Sequence, residues 1–279
     1  MSGTSAWLTV EQRDAPLILS LPHTGTDIPS RYRAGLVSLD LARKDADWWI
    51  DKLYIFARDL GATFVHTAMS RTVIDVNRDP SGASLYPGQP TTELCPTTTF
   101  DGEPLYQLGK TPDADSIAER RQSYFDPYHA ALAAEIARLR SRHGNIVLYD
   151  CHSIRSVIPR LFEGTLPNFN IGTNAGRSCA PQLTAAVEKA CGDGPFSAVV
   201  NGRFKGGWIT RSFGAPDQGV HAIQMELSCR GYMRETLGPV SERDWPTPWD
   251  ESFASPIQKH LREALEACLA FARQIVEVH

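Results

Sequence analysis

The 279-residue sequence predicts an α/β fold: one domain, residues 1–279, with a mixed and mainly parallel sheet flanked by helices. Two observations carry that reading. Short apolar runs alternate with longer stretches in which apolar residues recur at helical spacing. No internal repeat or linker divides a chain long enough to bury a full core.

The elements follow in order. "PLILSLP" (16–22) is an apolar run closed by Pro22 and reads as a central strand. From Lys44 to Leu60, the residues Trp49, Leu53, Phe56, Ala57 and Leu60 keep a helical spacing, and Gly61 ends it. "TFVHT" and "TVIDVN" read as two strands. Residues 80–113 are rich in Pro, Thr and Gly, a loop long enough to be functional, and its Tyr and Phe residues favour order. Residues 114–142 form a helix with Phe125, Tyr128, Leu132, Ile136 and Leu139 on one stripe. "NIVLY" (145–149) is a buried strand that runs into Asp150, Cys151, His152, Ser153 and Arg155. A helix near 182–191, strands near "SAVVNG" and "HAIQMEL", and an amphipathic helix over 256–276 complete the chain.

Composition narrows the function. A net charge of −4 argues against nucleic acid as a partner and requires a local cationic cluster for any anionic ligand. The six cysteines show no CxxC pairing, which opposes a zinc ribbon or a thioredoxin-type motif. No signal-peptide pattern opens the sequence, and no apolar run approaches the roughly 20 residues that span a bilayer. The expectation is a reduced, cytoplasmic protein with no membrane partner.

In open α/β sheets, ligands collect beyond the carboxyl ends of the strands. His23, His152 and Glu226 stand at such ends, and Asp47 lies near the start of the first long helix. Two imidazoles and a carboxylate, with a second carboxylate free for proton transfer, suit a catalytic zinc site. The plainer reading makes the histidines packing or capping residues and Asp47 a charge at a helix N-terminus. It also makes Glu226 a solvated carboxylate, because a strand of mixed faces is more often a sheet margin. Cys151 and His152 are adjacent on an extended segment and point to opposite faces, so they form no nucleophile–base pair.

A second group is cationic. "SRTVIDVNRDP" carries Arg71, Asn77 and Arg78, "HSIRS" adds Arg155, and "NGRFKGGWITR" adds Arg203, Lys205 and Arg211. These residues either grip an anionic ligand or, like Arg71 beside Asp75, neutralise a buried partner.

With these residues assembled, the chain resembles the N-formylglutamate amidohydrolase (N-formylglutamate deformylase) family. The motifs that carry the resemblance are "LPHTGTDIP", "DADWWIDKLY", "SRTVIDVNRDP", "LYPGQPTT", "LCPTTTFDGEPLY", "DCHSIRS", "LPNFNIGT", "NGRFKGGWITR" and "MELSCRGYM", in order from about residue 16 to 233. The resemblance implies a fold similar to the zinc carboxypeptidases, of the phosphorylase/hydrolase-like type, and to zinc-dependent muramoyl amidases. It implies hydrolysis of N-formyl-L-glutamate to formate and L-glutamate, the last step of one histidine-degradation route. One zinc ion per chain would be held by His23, Asp47 and His152, with Asp45 and Asp27 as competing positions for the acidic ligand, and Glu226 would be the base. Arg71, Asn77, Arg78, Arg203 and Lys205 would bind a small dicarboxylate substrate. The alternatives are another zinc amidohydrolase, acting on an N-acyl amino acid or a muropeptide, and a non-catalytic anion-binding protein on the same scaffold.

Overall fold

The computed structural model describes residues 7–236 and 240–274. Seven strands form one sheet: β1 (Leu8–Glu11), β2 (Leu17–Leu21), β3 (Thr63–Thr67), β4 (Ile146–Ile154), β5 (Phe169–Gly172), β6 (Ala198–Val200) and β7 (Val220–Ser228). Their order is β1-β3-β2-β4-β7-β5-β6. β3, β2, β4 and β7 pair in parallel, β1 and β5 join antiparallel to β3 and β7, and β6 pairs in parallel with β5. The sheet is therefore mixed and mainly parallel, as the alternation of elements predicts.

Helices cover both faces: α1 (Ser30–Arg33), α2 (Leu39–Arg43), α3 (Ile50–Leu53), α4 (Ala114–Arg120), α5 (Asp126–Arg140), α6 (Pro181–Gly192), α7 (Trp208–Phe213) and α8 (Glu251–Ala272). Side-chain parity sorts the core. On β4, Val147, Tyr149 and Cys151 join α3, α6 and α8 in one apolar cluster, with Ile223, Met225 and Leu227 of β7. On the opposite face, Ile146, Leu148 and Ala222 pack with Tyr128, Leu132 and Leu139 of α5. That second face changes character towards its carboxyl end: Asp150 and His152 continue the row on β4, beside Gln224 and Glu226 on β7.

β7 is thus an interior strand, and all nine of its residues are buried. The sheet-margin reading of Glu226 fails because β4 and β5 flank that strand on either side.

Four predicted elements differ. Residues 44–60 form no continuous helix: they are split into α3 and a 3-10 turn at Ile55–Arg58, preceded by Trp49 with a left-handed φ of 66°. "TVIDVN" makes no strand, since its backbone is used in turns and in a bond from Asp75 N–H to the Leu94 carbonyl. The last helix begins at Glu251 rather than 256, because Asp250 caps it by accepting from Phe253 N–H; Val276 lies outside the described residues. The helix predicted over 114–142 is α4 and α5 joined by a π turn at Arg121–Phe125. β1, β5 and α7 were not predicted, being too short to show a period. Among the described residues no helix is long and apolar enough to cross a membrane.

Leu261 on α8 is fully buried in the first cluster. Leu261→Ala should cost about 2–5 kcal/mol of unfolding free energy, read from the denaturant midpoint. Ile55→Ala, at a site 50% exposed, should stay within about 0.5 kcal/mol of the parent.

Candidate metal centre and active site

The chain passes from β2 to β3 on one side and returns to β4 on the other, so β2 and β4 flank a reversal of strand order. Such a switch point opens a crevice at the carboxyl ends. His23 follows β2 directly and His152 lies near the end of β4. The break in the predicted helix supplies the third group, as Asp47 N–H donates to the His23 carbonyl at 2.9 Å. Gly25 is needed here: a Cβ would lie 2.3 Å from the Ala68 carbonyl carbon, so only glycine lets the chain after His23 pass that close.

His23, Asp47 and His152 are all buried, and one ligand atom from each lies within 4.8 Å of the others. His23 Nε2 lies 2.7 Å from Asp75 Oδ1, and His152 Nε2 lies 2.9 Å from Asp150 Oδ2. A carboxylate accepts, so the His23 imidazole donates from Nε2 and keeps a lone pair on Nδ1. The His152 ring meets a carboxylate at each nitrogen, Asp150 at Nε2 and Asp47 at Nδ1, and Asn77 Nδ2 also lies 2.9 Å from its Nε2. Both Nδ1 atoms turn to Asp47 Oδ2, at 3.7 Å from His23 and 3.1 Å from His152. The His23 lone pair and the Asp47 carboxylate are both acceptors and repel unless a cation, proton or metal, lies between them. His23 Nδ1 and Asp47 Oδ1 also lack any hydrogen-bond partner though buried, which is costly for polar atoms. The outer carboxylates orient the rings as they do around metal-ligating histidines elsewhere.

Charge supports the same conclusion. Asp75 pairs with Arg71 and Arg78, Asp47 lies 3.8 Å from Arg71, and Asp150 and Glu226 are buried beside them. The carboxylates of this buried cluster favour a positive charge at its centre, a proton drawn onto His152 or a metal ion in its place. Burial and then the Arg71 charge lower the pKa of His23, against the pull of Asp75. Burial opposes the charged form of His152, but Asp150 and Asp47 outweigh it and raise that pKa well above the usual range. Burial also opposes ionisation of Asp75, which Arg78, His23 and Arg71 overcome. These residues fit a metal ion.

The two competing acids are placed elsewhere. Asp45 accepts from Phe100 N–H at 2.7 Å and sits 3.7 Å from Arg155. Asp27 is exposed. Glu226 stands in register with His152. Burial pushes its pKa up to about 7, with the His152 charge opposing.

A cavity of about 210 Å³ opens over these groups. The long loop walls one side of it, through Gly82 to Tyr86, Pro90 to Leu94 and Phe100. Tyr86 OH donates to the Gly206 carbonyl and accepts from Lys205 N–H, pinning the loop down. Arg71, Asn77, Arg78 and Arg203 also line the cavity. Arg71 is paired with Asp75 at 2.7 Å and lies over the Phe100 ring. Arg203 has no acidic partner among the described residues; it donates to the carbonyls of Leu161 and Pro90. The Asn77 amide is engaged internally, accepting from Ile209 N–H and donating to Asp150. The close approach needs Gly207, where a Cβ would fall 2.4 Å from Asn77 Nδ2. Lys205 is exposed and does not line the cavity. Arg155 pairs with Asp101, and Arg211 stacks on Tyr86. Sequence reasoning missed Asp75 as a partner of His23 and gave no part to Gln224, since only packing brings these side chains to the site.

A family model of N-formylglutamate amidohydrolase matches residues 15–233. The chain belongs to the N-formylglutamate amidohydrolase family. It is 43% identical over 268 residues to an N-formylglutamate deformylase of Pseudomonas aeruginosa, covering 96% of this chain and 97% of that protein. A Pseudomonas putida protein of the same name is 42% identical over the same coverage. A crystal structure of an N-formylglutamate amidohydrolase from Ralstonia eutropha shares the fold, with a TM-score of 0.76 at 23% identity, covering 96% of this chain and 98% of that one.

Within this amidohydrolase, Cys151 belongs to the apolar cluster on the far face of β4, and burial raises its thiol pKa well above the usual range. Cys151→Ala should keep near-parental turnover while losing about 1 kcal/mol of stability, measured by turnover and denaturant midpoint together.

Proposed function

We propose that this chain hydrolyses N-formyl-L-glutamate to formate and L-glutamate, using one zinc ion held by His23, Asp47 and His152. In this reading it acts as a single amidohydrolase domain in the cytoplasm, at the last step of a histidine-degradation route. The observation that carries it is the pair of Nδ1 atoms turned on Asp47 beside Glu226, in a chain of this family.

A metal ion bound there supplies Lewis-acid polarisation of the formyl carbonyl and acidifies a water molecule. The protein's own residues do the rest. Asp75 and Asp150 hold the imidazoles in one orientation. Glu226 accepts a proton from the attacking water and returns one to the departing amine, which is too basic to leave as an anion. The substrate's two carboxylates account for guanidinium groups lining the cavity of an acidic protein. Arg78 and Arg203 grip them, with Arg71 behind as the counter-charge of Asp75. Asn77 contributes by tying Asp150 to the start of α7 rather than by gripping a carboxylate, and Lys205 contributes its backbone to the loop latch.

His23→Ala, His152→Ala and Asp47→Ala should each lose bound metal and activity together, whereas Asp45→Ala should keep the metal. Metal content of freshly purified protein decides this, and a full complement in either histidine variant would remove it from the ligand set.

Formate release from N-formylglutamate, beside N-acetylglutamate and N-formylaspartate and with or without chelator, tests the reaction itself. Glu226→Gln should retain metal and substrate affinity while kcat drops by roughly 10²–10⁴-fold. Glu226 must be ionised to accept a proton, so activity should fall as pH drops. A cation at the ligands pulls the midpoint below the value of about 7 that the buried group otherwise has.

A further inference from the structure

Gln224 and Glu226 lie two residues apart on β7, so their side chains share one face. Gln224 Nε2 donates to Glu226 Oε2 at 3.1 Å, and both residues are buried. Among the described residues, no other group hydrogen-bonds this carboxylate. The amide cannot be turned round without loss. Its Oε1 accepts from Gly207 N–H at 2.7 Å, and a backbone N–H can only donate, so the Nε2 end is left for the carboxylate. The segment at Gly207 is held in turn by Asn77, which accepts from Trp208 N–H and Ile209 N–H and whose Nδ2 also reaches Gln224 Oε1 at 3.5 Å. A methionine would fill this volume without a buried amide to satisfy. The polar end therefore asks for a purpose.

We propose that Gln224 is a positioning residue: its amide, locked by Gly207, holds Glu226 by one oxygen and leaves Oε1 free for proton transfer. This rests on Glu226 being the base. An untethered glutamate carries several rotamers, and displacing a reacting group by about 1 Å costs on the order of 100-fold in rate. Burial alone does not select the productive rotamer. The donor from Gln224 does, and it does so before substrate arrives.

The test is a double-mutant cycle on the metal-loaded enzyme with Gln224→Met, Glu226→Gln and both together. Gln224→Met should lower kcat by about 10- to 100-fold, with KM and metal content unchanged. In the Glu226→Gln background, which lacks the base, the same substitution should have little further effect, because both changes remove one function. If Gln224→Met lowers the residual rate of Glu226→Gln by its full factor, Gln224 acts elsewhere and the proposal is overturned. Parental kcat in Gln224→Met overturns it as well. Should Glu226→Gln itself keep most of its turnover, the base assignment falls first and the proposal with it, a distinguishable result. Were Gln224→Met not to fold, Gln224→Asn, one methylene too short to reach both partners, should show the same selective loss of kcat. A parental rate in that variant would again overturn the proposal.

Discussion

The site depends on one electrostatic arrangement: Asp47 buried between two imidazoles whose Nδ1 atoms both face one of its oxygens. Burying a carboxylate is expensive, and turning an acceptor towards it adds to the cost. The arrangement is tolerable only with positive charge at its centre. Asp75 enforces this at His23 by occupying its outer nitrogen, so that ring cannot relieve the conflict by switching tautomer. Asp75 is itself held by Arg71, Arg78 and the Asn77 N–H. An outer ring of satisfied polar groups thus maintains an inner ring that requires a cation.

The sheet makes this possible through parity and topology. On one face of β4 and β7, the amino halves are apolar and sit under α5, while the carboxyl halves carry Asp150, His152, Gln224 and Glu226. The other face is apolar from Val147 to Cys151 on β4 and from Ile223 to Leu227 on β7. A continuous core on one side holds the strands rigid while the other side is given over to chemistry. The reversal of strand order at β2 and β4 then opens space above those polar residues, and the long loop closes that space from outside.

The loop shows how a stretch without regular structure can still be fixed. Tyr86 binds the backbone at Lys205 and Gly206, and the guanidinium groups of Arg203 and Arg211 lie against its ring. These contacts join two segments far apart in the chain around one cavity. They also leave Arg203 beside the cavity without an acidic partner among the described residues.

Much of this was legible in the sequence. Apolar runs marked β2, β3, β4 and β7, helical stripes marked α5, α6 and α8, and ordered motifs indicated the family. The residues brought together at the centre, His23, Asp47 and His152, could be named in advance because they stand at strand ends or within such motifs. Other features were not legible. The spacing at 44–60 predicts a helix, yet the chain breaks at Trp49 so that Asp47 can meet the His23 carbonyl. "TVIDVN" alternates like a strand but folds into turns that bind both imidazole and guanidinium groups. Tertiary structure also separated Asp47 from Asp45 and Asp27, made β7 an interior strand, and set Gln224 against Glu226. Periodicity records what each segment prefers by itself. Ion pairs and tautomers are settled only when several segments compete for the same buried partners, and that competition exists only in the folded chain.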